Sequence, residues 1–391
     1  MSLDKQSRLS LLHEVDEFCR ELRPTEEICY LEHVFNDQLI PLCKKYRLLG
    51  IPVKTEYDGR AADSLAYTRS LERIGMEGTG VRTFFSGHTS IGQVPIQMWG
   101  SKEQKLRYLP PSTRGEKILA FGLTEPDAGS NPLEMKMSYE VKDGHYVLNG
   151  VKYLISNAGI ANAIIAFAYP KGGGRISAFI VDTDKEGFLK QDQTTKLGMP
   201  TSNTALFELH DYPVPKDNLL GKEGDGFKIA MSTLMSGRLS VAAGCLGVIA
   251  DCLKEAVRYA KERSQHGKSI AKHQLIQEHI AMMRIGLDAS RSLVYKAAYL
   301  KGKYDDAPDN SQIRSLADRM IAEAKFFAAN AAWDAADRAV QVFGGRGYSY
   351  LFRPGRHLQD VRVCRIYEGT DEILKLKIAS AVLGKEYEAF R

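Results

Sequence analysis

YEVKDGHYVLNG, residues 139–150, is the stretch on which the reading of the fold turns. Two strand-like runs meet at Asp143-Gly144, a dipeptide that accepts the left-handed backbone of a tight hairpin loop. Working outward, AIIAFAY (163–169) is an apolar run of buried-strand length and KGGGR (171–175) is a turn. ISAFIVD (176–182) and TALFEL (204–209) follow as further strands. This pattern spans Ile118 to about Gly226 and predicts a β domain. On either side the apolar period is helical: Leu11, Val15 and Phe18, then Leu65, Leu71 and Ile74, precede the β region. After it, Ile313, Leu316, Met320, Ala324, Phe327, Ala331, Ala335, Ala339 and Val342 step by three or four residues. That small-residue stripe is expected to be core or helix–helix interface, consistent with a bundle that continues across subunits. KYDDAPDNSQ (303–312) reads as an exposed inter-helix loop. The expected fold is mainly α with a β domain, divided as 1–117 helical, 118–226 β and 227–391 helical bundle. Helices, then strands, then helices argue against a doubly wound sheet, in which the two alternate.

The 391-residue chain is 44% hydrophobic and can bury a large core in two or three domains. Its 53 basic and 48 acidic residues, net +5, are scattered, which favours anionic small molecules over nucleic acid. Cysteines 19, 29, 43, 245, 252 and 364 form no CxxC pair and have no histidine at zinc spacing. They are expected to be reduced thiols in a cytoplasmic compartment, with no metal site. The opening MSLDKQSRLSLLHEVDEF is charged every few residues, and no window holds 18 uninterrupted apolar residues, so neither an export signal nor a membrane span is expected. GTGVRT, GDGFKI and GRGYSY each lack the third glycine of a dinucleotide fingerprint. Phosphate-loop, HExxH and GxSxG patterns are also missing.

RIYEGTDEI (365–373) holds the most informative carboxylate. Thr370 is a good helix N-cap and Asp371 with Glu372 complement the first turn, so capping leaves Glu368 unused. Beside Ile366 and Tyr367 it would be desolvated, its pKa raised, and its strength as a general base increased. The alternative is a loop carboxylate paired with Arg362 or Arg365. Gly369 suits either, giving backbone freedom and close ligand approach. FGLTEPDAGSNP (121–132) offers Thr124, a Pro-Asp turn and a Gly-Ser pair, which by itself is a well-made turn.

Taken together with RSQHGK (263–268) and VQVFGGRGY (340–348), these two motifs resemble those of the acyl-CoA dehydrogenase family. The resemblance implies a helical N-terminal domain, a middle β-barrel-like domain and a C-terminal four-helix bundle, assembled as a homodimer or homotetramer. It also implies FAD held without a Rossmann fingerprint, and oxidation of an acyl thioester to its enoyl form. Glu368 would be the base, with hydride passing to FAD, and the Gly369 N–H would bond the thioester carbonyl. In some relatives the base stands at the position of Gly237, where glycine cannot serve. Phe121, Leu123, Thr124 and Ser130 match one flavin segment, Ser130 also lying near the substrate. Leu154 and Ser156 match a second, with leucine where many relatives have tryptophan. Arg263, His266, Gln274, Gln341 and Gly345 match residues that hold the diphosphate and adenosine across a dimer interface. His266 stands for a usual phenylalanine and reads equally as a packed interface histidine. Thr370 and Glu372 match the last cofactor segment, where an acid near diphosphate repels unless paired.

For the substrate, Tyr367 and Arg238 match pocket and carrier positions, Arg238 reading alternatively as an interhelical ion pair. Arg82, in GVRTFFSGHTS (80–90), matches the arginine that glutaryl-CoA dehydrogenases use for the far carboxylate, and a guanidinium fork suits that group. An interhelical or solvated cation is the other reading. Phe84, Phe85, His88 and Gln93 are either pocket or packing residues. An electron-transfer flavoprotein is the implied acceptor. A carrier-protein-bound acyl group is the alternative substrate, because Met235 and Ser236 replace usual acidic or Gly-rich contacts. A nitroalkane-type oxidase would favour Asp at position 368, and a DNA-associated relative a basic extension beyond Arg391.

Overall fold

The computed structural model describes residues 4–387 and 389; the readings that touch residues 1–3 and Arg391 lie outside them. The N-terminal part comprises α1 (Lys5–Glu32), α2 (Leu39–Lys45), α3 (Ser64–Gly75), α4 (Thr79–Phe85), α5 (Val94–Trp99) and α6 (Lys102–Thr113). Leu11, Val15 and Phe18 of α1 meet Leu71 and Ile74 of α3 in one core, as their helical spacing requires. Between α4 and α5 the chain widens into a π-helical segment, Ser86–Gln93, a rare form often found beside functional sites. His88 secures it from inside. Its Nδ1 accepts the Leu119 N–H at 3.1 Å, so Nε2 carries the proton and donates to the Ser112 carbonyl at 3.2 Å. Burial pushes the His88 imidazole down to about 4 and keeps it neutral. Phe84, Phe85 and Gln93 are buried with it, and Gln93 donates to the Leu49 carbonyl at 2.8 Å, so packing accounts for all four residues.

The β domain contains β1 (Leu119–Gly122), β2 (Ser138–Lys142), β3 (His145–Ser156), β4 (Ala163–Pro170), β5 (Ser177–Asp182), β6 (Phe188–Asp192), β7 (Thr204–Pro215) and β8 (Leu219–Leu220). Their order is β6-β7-β3-β2-β4-β5-β8, with β1 added parallel to β4. The β2–β3 hairpin turns through Asp143 (φ 47°) and Gly144 (φ 81°), with Lys142 opposite His145. Strand β3 slips register against β7 twice, between Leu148 and Gly150 and between Lys152 and Ile155. At the second slip Leu154 takes φ 57° and stays 51% exposed. Bulges of this kind re-aim a side chain at the edge of a site.

The C-terminal part opens with α7 (Gly226–Glu262), followed by a short hairpin of β9 (Ser264–Gln265) and β10 (Lys268–Ser269). Helices α8 (Gln274–Asp306), α9 (Ser311–Phe343), α10 (Arg353–Val361) and α11 (Asp371–Leu383) complete it. Helix α7 is long and apolar enough to cross a membrane, but 83% of its most apolar stretch is buried within the protein. The loop expected at 303–312 is shorter than its composition suggests. Helix α8 continues to Asp306 because Tyr304 is buried, and α9 begins at Ser311 under an Asn310 cap. Along α9, Met320, Ala324, Ala335, Ala339 and Val342 are buried while Leu316 and Phe327 face outward. A second buried face, Ala317, Ile321, Ala328, Ala332 and Ala336, lies between α9 and its neighbours.

Candidate active site

After the 3₁₀ turn Arg362–Arg365 the chain kinks through Glu368 (φ 55°) and Gly369 (φ 93°), and Thr370 caps α11 by accepting the Ile373 N–H at 3.3 Å. A non-glycine residue in the left-handed region costs energy and persists only where its surroundings hold it. Here two cations grip consecutive carbonyls. Arg238 Nε, from α7, donates to the Glu368 oxygen at 3.1 Å, and Lys325 Nζ, from α9, donates to the Gly369 oxygen at 2.7 Å. The Glu368 carboxylate lies against Gly237, where a Cβ would stand 2.5 Å from both oxygens. Oε2 is buried without a hydrogen-bond partner among the described residues. Burial pushes the Glu368 carboxyl up to about 7 against the opposing pull of Arg238, Lys325 and Arg82. The alternative ion pair does not form. Arg365 Nε bonds Asp371 Oδ2 at 2.7 Å instead, and Arg362 Nη1 has no partner among the described residues.

Arg82 of α4 is 1% exposed and donates to the Tyr367 phenol oxygen, its guanidinium 5.5 Å from that ring's centre. Thr83 Oγ1 and Cys364 Sγ each lie 3.4 Å from the same oxygen. Gly244 makes room for the cation, since a Cβ there would stand 2.7 Å from Arg82 Nε. That Nε has no acceptor, and no carboxylate pairs with Arg82 among the described residues. Arg238 also reaches Asp318 of α9 at 3.5 Å, so the interhelical contact read from the sequence is present beside its bond to Glu368.

The β-domain rim adjoins this corner. Phe121 packs on Phe167 at the end of β1, with ring centres 5.0 Å apart. The Thr124 carbonyl accepts the Tyr153 N–H at 2.9 Å, which sets Leu123 and Thr124 beside the Leu154 bulge, two residues before Ser156 at the end of β3. Asn157 Nδ2 donates to the Phe84 carbonyl at 3.0 Å, and Gly87 of the π-helical segment abuts Ser156. Thus the rim joins α4, whose Arg82 bonds Tyr367, the residue before Glu368. Ser130 is exposed farther along the same loop, and Glu372 is exposed on the first turn of α11.

Sequence reasoning passed over the pair that anchors this rim. Lys152, fully buried, donates to Glu125 Oε1 at 2.8 Å, and Glu125 also accepts the Lys136 and Met137 N–H groups at 2.6 and 3.0 Å. Burial lowers Lys152 to about 8, yet the carboxylate keeps it charged at neutral pH. Glu125 directly follows Thr124 in the TEPDAG turn, and Lys152 faces inward on a strand; a lysine at an inward strand position was the available signal. Breaking one side of a buried pair strands the other charge, so Glu125→Ala should cost about 3 kcal/mol of stability. Urea unfolding of the variant, with flavin content measured in parallel, checks both the stability and the rim.

Arg263, His266, Gln274, Gln341 and Gly345 form a second set, all exposed. Arg263 ends α7, His266 (φ 53°) and Gly267 (φ 73°) turn the β9–β10 hairpin, Gln274 opens α8, and Gln341 and Gly345 bracket the end of α9. Tyr259 stacks on Phe343 with ring centres 4.2 Å apart, so these helix ends meet. At 1.5 Å per residue this end lies about 38 Å along α7 from Gly237 and about 24 Å along α9 from Lys325. One protomer therefore does not bring the second set to Glu368. The chemistry of the two sets suits FAD in two parts. The rim presents an exposed leucine beside the hydroxyls of Thr124 and Ser156, and the bundle end presents a guanidinium, an imidazole and open glycines.

Helical, β and helical parts with a desolvated acid between two helices of the last form the arrangement that the sequence motifs imply for an FAD-dependent dehydrogenase of thioesters. The chain belongs to the acyl-CoA dehydrogenase family: the N-terminal, middle and C-terminal domain models of that family match residues 6–116, 120–212 and 224–383. An acyl-CoA dehydrogenase of Bacillus subtilis (strain 168) is 39% identical over 383 residues, covering 97% of this chain and 98% of the relative. The structure of butyryl-CoA dehydrogenase from Megasphaera elsdenii superposes with a TM-score of 0.91 at 34% identity, covering 98% of this chain and 100% of that one. A glutaryl-coenzyme A dehydrogenase in complex with glutaryl-CoA gives 0.90 at 32% identity, covering 98% and 96%.

Proposed function

We propose that this enzyme dehydrogenates short acyl-CoA thioesters between Cα and Cβ, with Glu368 as the general base. The observation that carries the reading is the Glu368 carboxylate, seated on Gly237 with Oε2 unpartnered and raised to about 7 by burial. A proton α to a thioester carbonyl is weakly acidic, so its removal needs a poorly solvated base and a donor for the oxygen that gains charge. Glu368 Oε2 takes the proton. The Gly369 N–H, which has no acceptor among the described residues, bonds the thioester oxygen. FAD held by this chain would supply the acceptor for the β hydrogen and its electron pair. Arg238 and Lys325 donate to the Glu368 and Gly369 carbonyls beside the base. Ser130 serves the thioester carrier and Tyr367 lines the acyl end.

Phe121, Leu123, Thr124, Leu154 and Ser156 would hold the flavin part of FAD, and Thr370 and Glu372 would belong to the last segment that holds the cofactor. The second set takes the diphosphate and adenosine of a neighbouring protomer, which makes the working unit at least a homodimer. Its distance from Glu368 supports this, as do the outward-facing Leu275, Ile285, Leu316 and Phe327 on α8 and α9. We assign the domains to 1–117, 118–226 and 227–391, the acceptor to an electron-transfer flavoprotein and the compartment to the cytoplasm.

Anaerobic mixing of the flavin-loaded enzyme with butyryl-CoA, glutaryl-CoA and the corresponding acyl-carrier thioesters tests the reading. Butyryl-CoA should bleach the flavin, at a rate that rises as pH rises through about 7 because the base must be ionised. Bleaching by carrier thioesters alone would move the assignment to a biosynthetic dehydrogenase; none with any thioester would overturn it. A second reading, an acyl chain ending in a carboxylate, is favoured by the buried Arg82 guanidinium, which lacks an anionic partner. Arg82→Gln should then reduce kcat/KM for glutaryl-CoA by about 10²-fold more than for butyryl-CoA, as expected when one partner of a buried charged pair is lost. Equal losses for the two substrates would dismiss the carboxylate.

A further inference from the structure

We propose that Lys325 is a positioning residue for the reaction: its ammonium holds the Gly369 carbonyl and so fixes the kinked backbone from which the Glu368 carboxylate is aimed over Gly237. This inference rests on Glu368 being the base. Lys325 is fully buried in the middle of α9, where a long charged side chain is out of place unless something requires it. Its hydrogen-bond partner is the Gly369 oxygen at 2.7 Å, a backbone carbonyl rather than a carboxylate. Burial lowers its own proton affinity, opposed by the neighbouring Cys364, Cys245, Asp371 and Glu368. The groups that face Glu368 in charge are Arg238 on α7, Lys325 on α9 and Arg82 on α4, and each favours the carboxylate form.

The geometry explains why both carbonyls are gripped. With Glu368 at φ 55° and Gly369 at φ 93°, the two carbonyls turn away from the path a helix would give them, out of reach of ordinary backbone partners. Arg238 satisfies the first and Lys325 the second, from helices on two sides of the segment. Release of the Gly369 oxygen would leave a part-buried acceptor unpaired and free the chain to relax toward a more populated conformation. Asp371, two residues on, is itself held by Arg365 and Asn330, which ties the start of α11 independently. Loss of Lys325 is therefore felt at Glu368 and Gly369 first.

Two substitutions separate its hydrogen bond from its charge. Lys325→Gln keeps an N–H donor for the Gly369 oxygen, whereas Lys325→Met keeps only the length of the side chain. The readouts are flavin content, kcat, and the acidic limb of kcat/KM measured on flavin-loaded enzyme with butyryl-CoA. Both variants lack a cation facing Glu368, so the limb should move upward by about one pH unit in each. Only Lys325→Met should also lose kcat, by about 10²-fold, through misplacement of the base. A lysine that merely supports the fold would reduce flavin content or stability but leave kcat of the flavin-loaded Lys325→Met enzyme at the wild-type value, while the limb, which reports only the lost charge, would move all the same. That result overturns the proposal. Should Lys325→Met not fold, kcat of the flavin-loaded Lys325→Gln and Lys325→Leu enzymes decides: near wild type in the first, which keeps a donor, and about 10²-fold lower in the second is expected, and any other pattern rejects the role. Glu368→Gln run alongside keeps the two readings apart. If it remains active the base assignment fails; if it is inactive while the Lys325 variants keep wild-type kcat, only the role of Lys325 fails.

Discussion

Glu368→Gln should lower turnover by about 10³-fold or more while the protein keeps its FAD. The amide matches the carboxylate in size, so the space over Gly237 stays filled and the Arg238 and Lys325 bonds to the backbone are untouched. What disappears is the base, whose contribution in proton-transfer chemistry is typically 10²–10⁴-fold. Here the loss should lie toward the upper end, because among the described residues no second acid or base bonds Oε2 to take the proton in its place. A stability signature accompanies it. Burial raises the Glu368 carboxyl from its ordinary 4.5 to about 7, so between those values the folded protein holds a proton that the unfolded chain has released. Stability contributed by this group therefore falls as pH rises through that window, and the deficit stands in full above it. Glutamine carries no such deficit. The variant should melt higher than wild type at pH 8, with the gain vanishing below pH 4.5. Stopped-flow bleaching and paired melting curves at the two pH values test both halves. Wild-type turnover in the variant would end the assignment of Glu368.

Gly237→Ala should have the next largest effect, although alanine is the better helix former by about 1 kcal/mol. Judged by its own helix the change is stabilising. In space the new methyl would stand 2.5 Å from each Glu368 oxygen and 2.6 Å from the carbon between them, closer than atoms approach. Either the carboxylate swings off its seat or the kink at Glu368 relaxes, and an error of about 1 Å in a reacting group costs about 10²-fold in rate. We expect flavin content and the melting transition to be near those of wild type while kcat falls by that factor. A variant with unaltered kcat would show that the carboxylate need not rest on Gly237 to work.

These two residues also mark where the amino-acid sequence ceases to be informative. Features set by local chemistry were legible in it: the Asp143-Gly144 turn, the Thr370 cap, the helical spacing of Leu11, Val15 and Phe18, and the long α9 stripe. Each depends on backbone preferences and apolar period within a few residues. Glu368 stood out for the same reason, as an acid left over once capping had been satisfied. Its neighbours were another matter. Arg238 is 130 positions away in the chain, and Lys325 is 44 from the glycine it holds. Periodicity told which side of α9 was apolar, and it gave no reason to expect a lysine inside. The bulge that turns Leu154 outward at φ 57° likewise carries no glycine or asparagine to announce it. The buried Glu125–Lys152 pair joins a turn to a strand and is recognisable only once the two are in contact.

The sequence by itself therefore determined the order of helical, β and helical parts, the places where the chain turns, and the family motifs that single out one acid. Tertiary structure alone decided that this acid would be desolvated, seated on a glycine and backed by two cations, and that the second set of cofactor residues would lie at the opposite end of the bundle. The physical reason is range. Turn and helix preferences act between near neighbours along the chain, whereas burial, proton affinity and the room left by a missing methyl group depend on what distant segments bring to the same point in space.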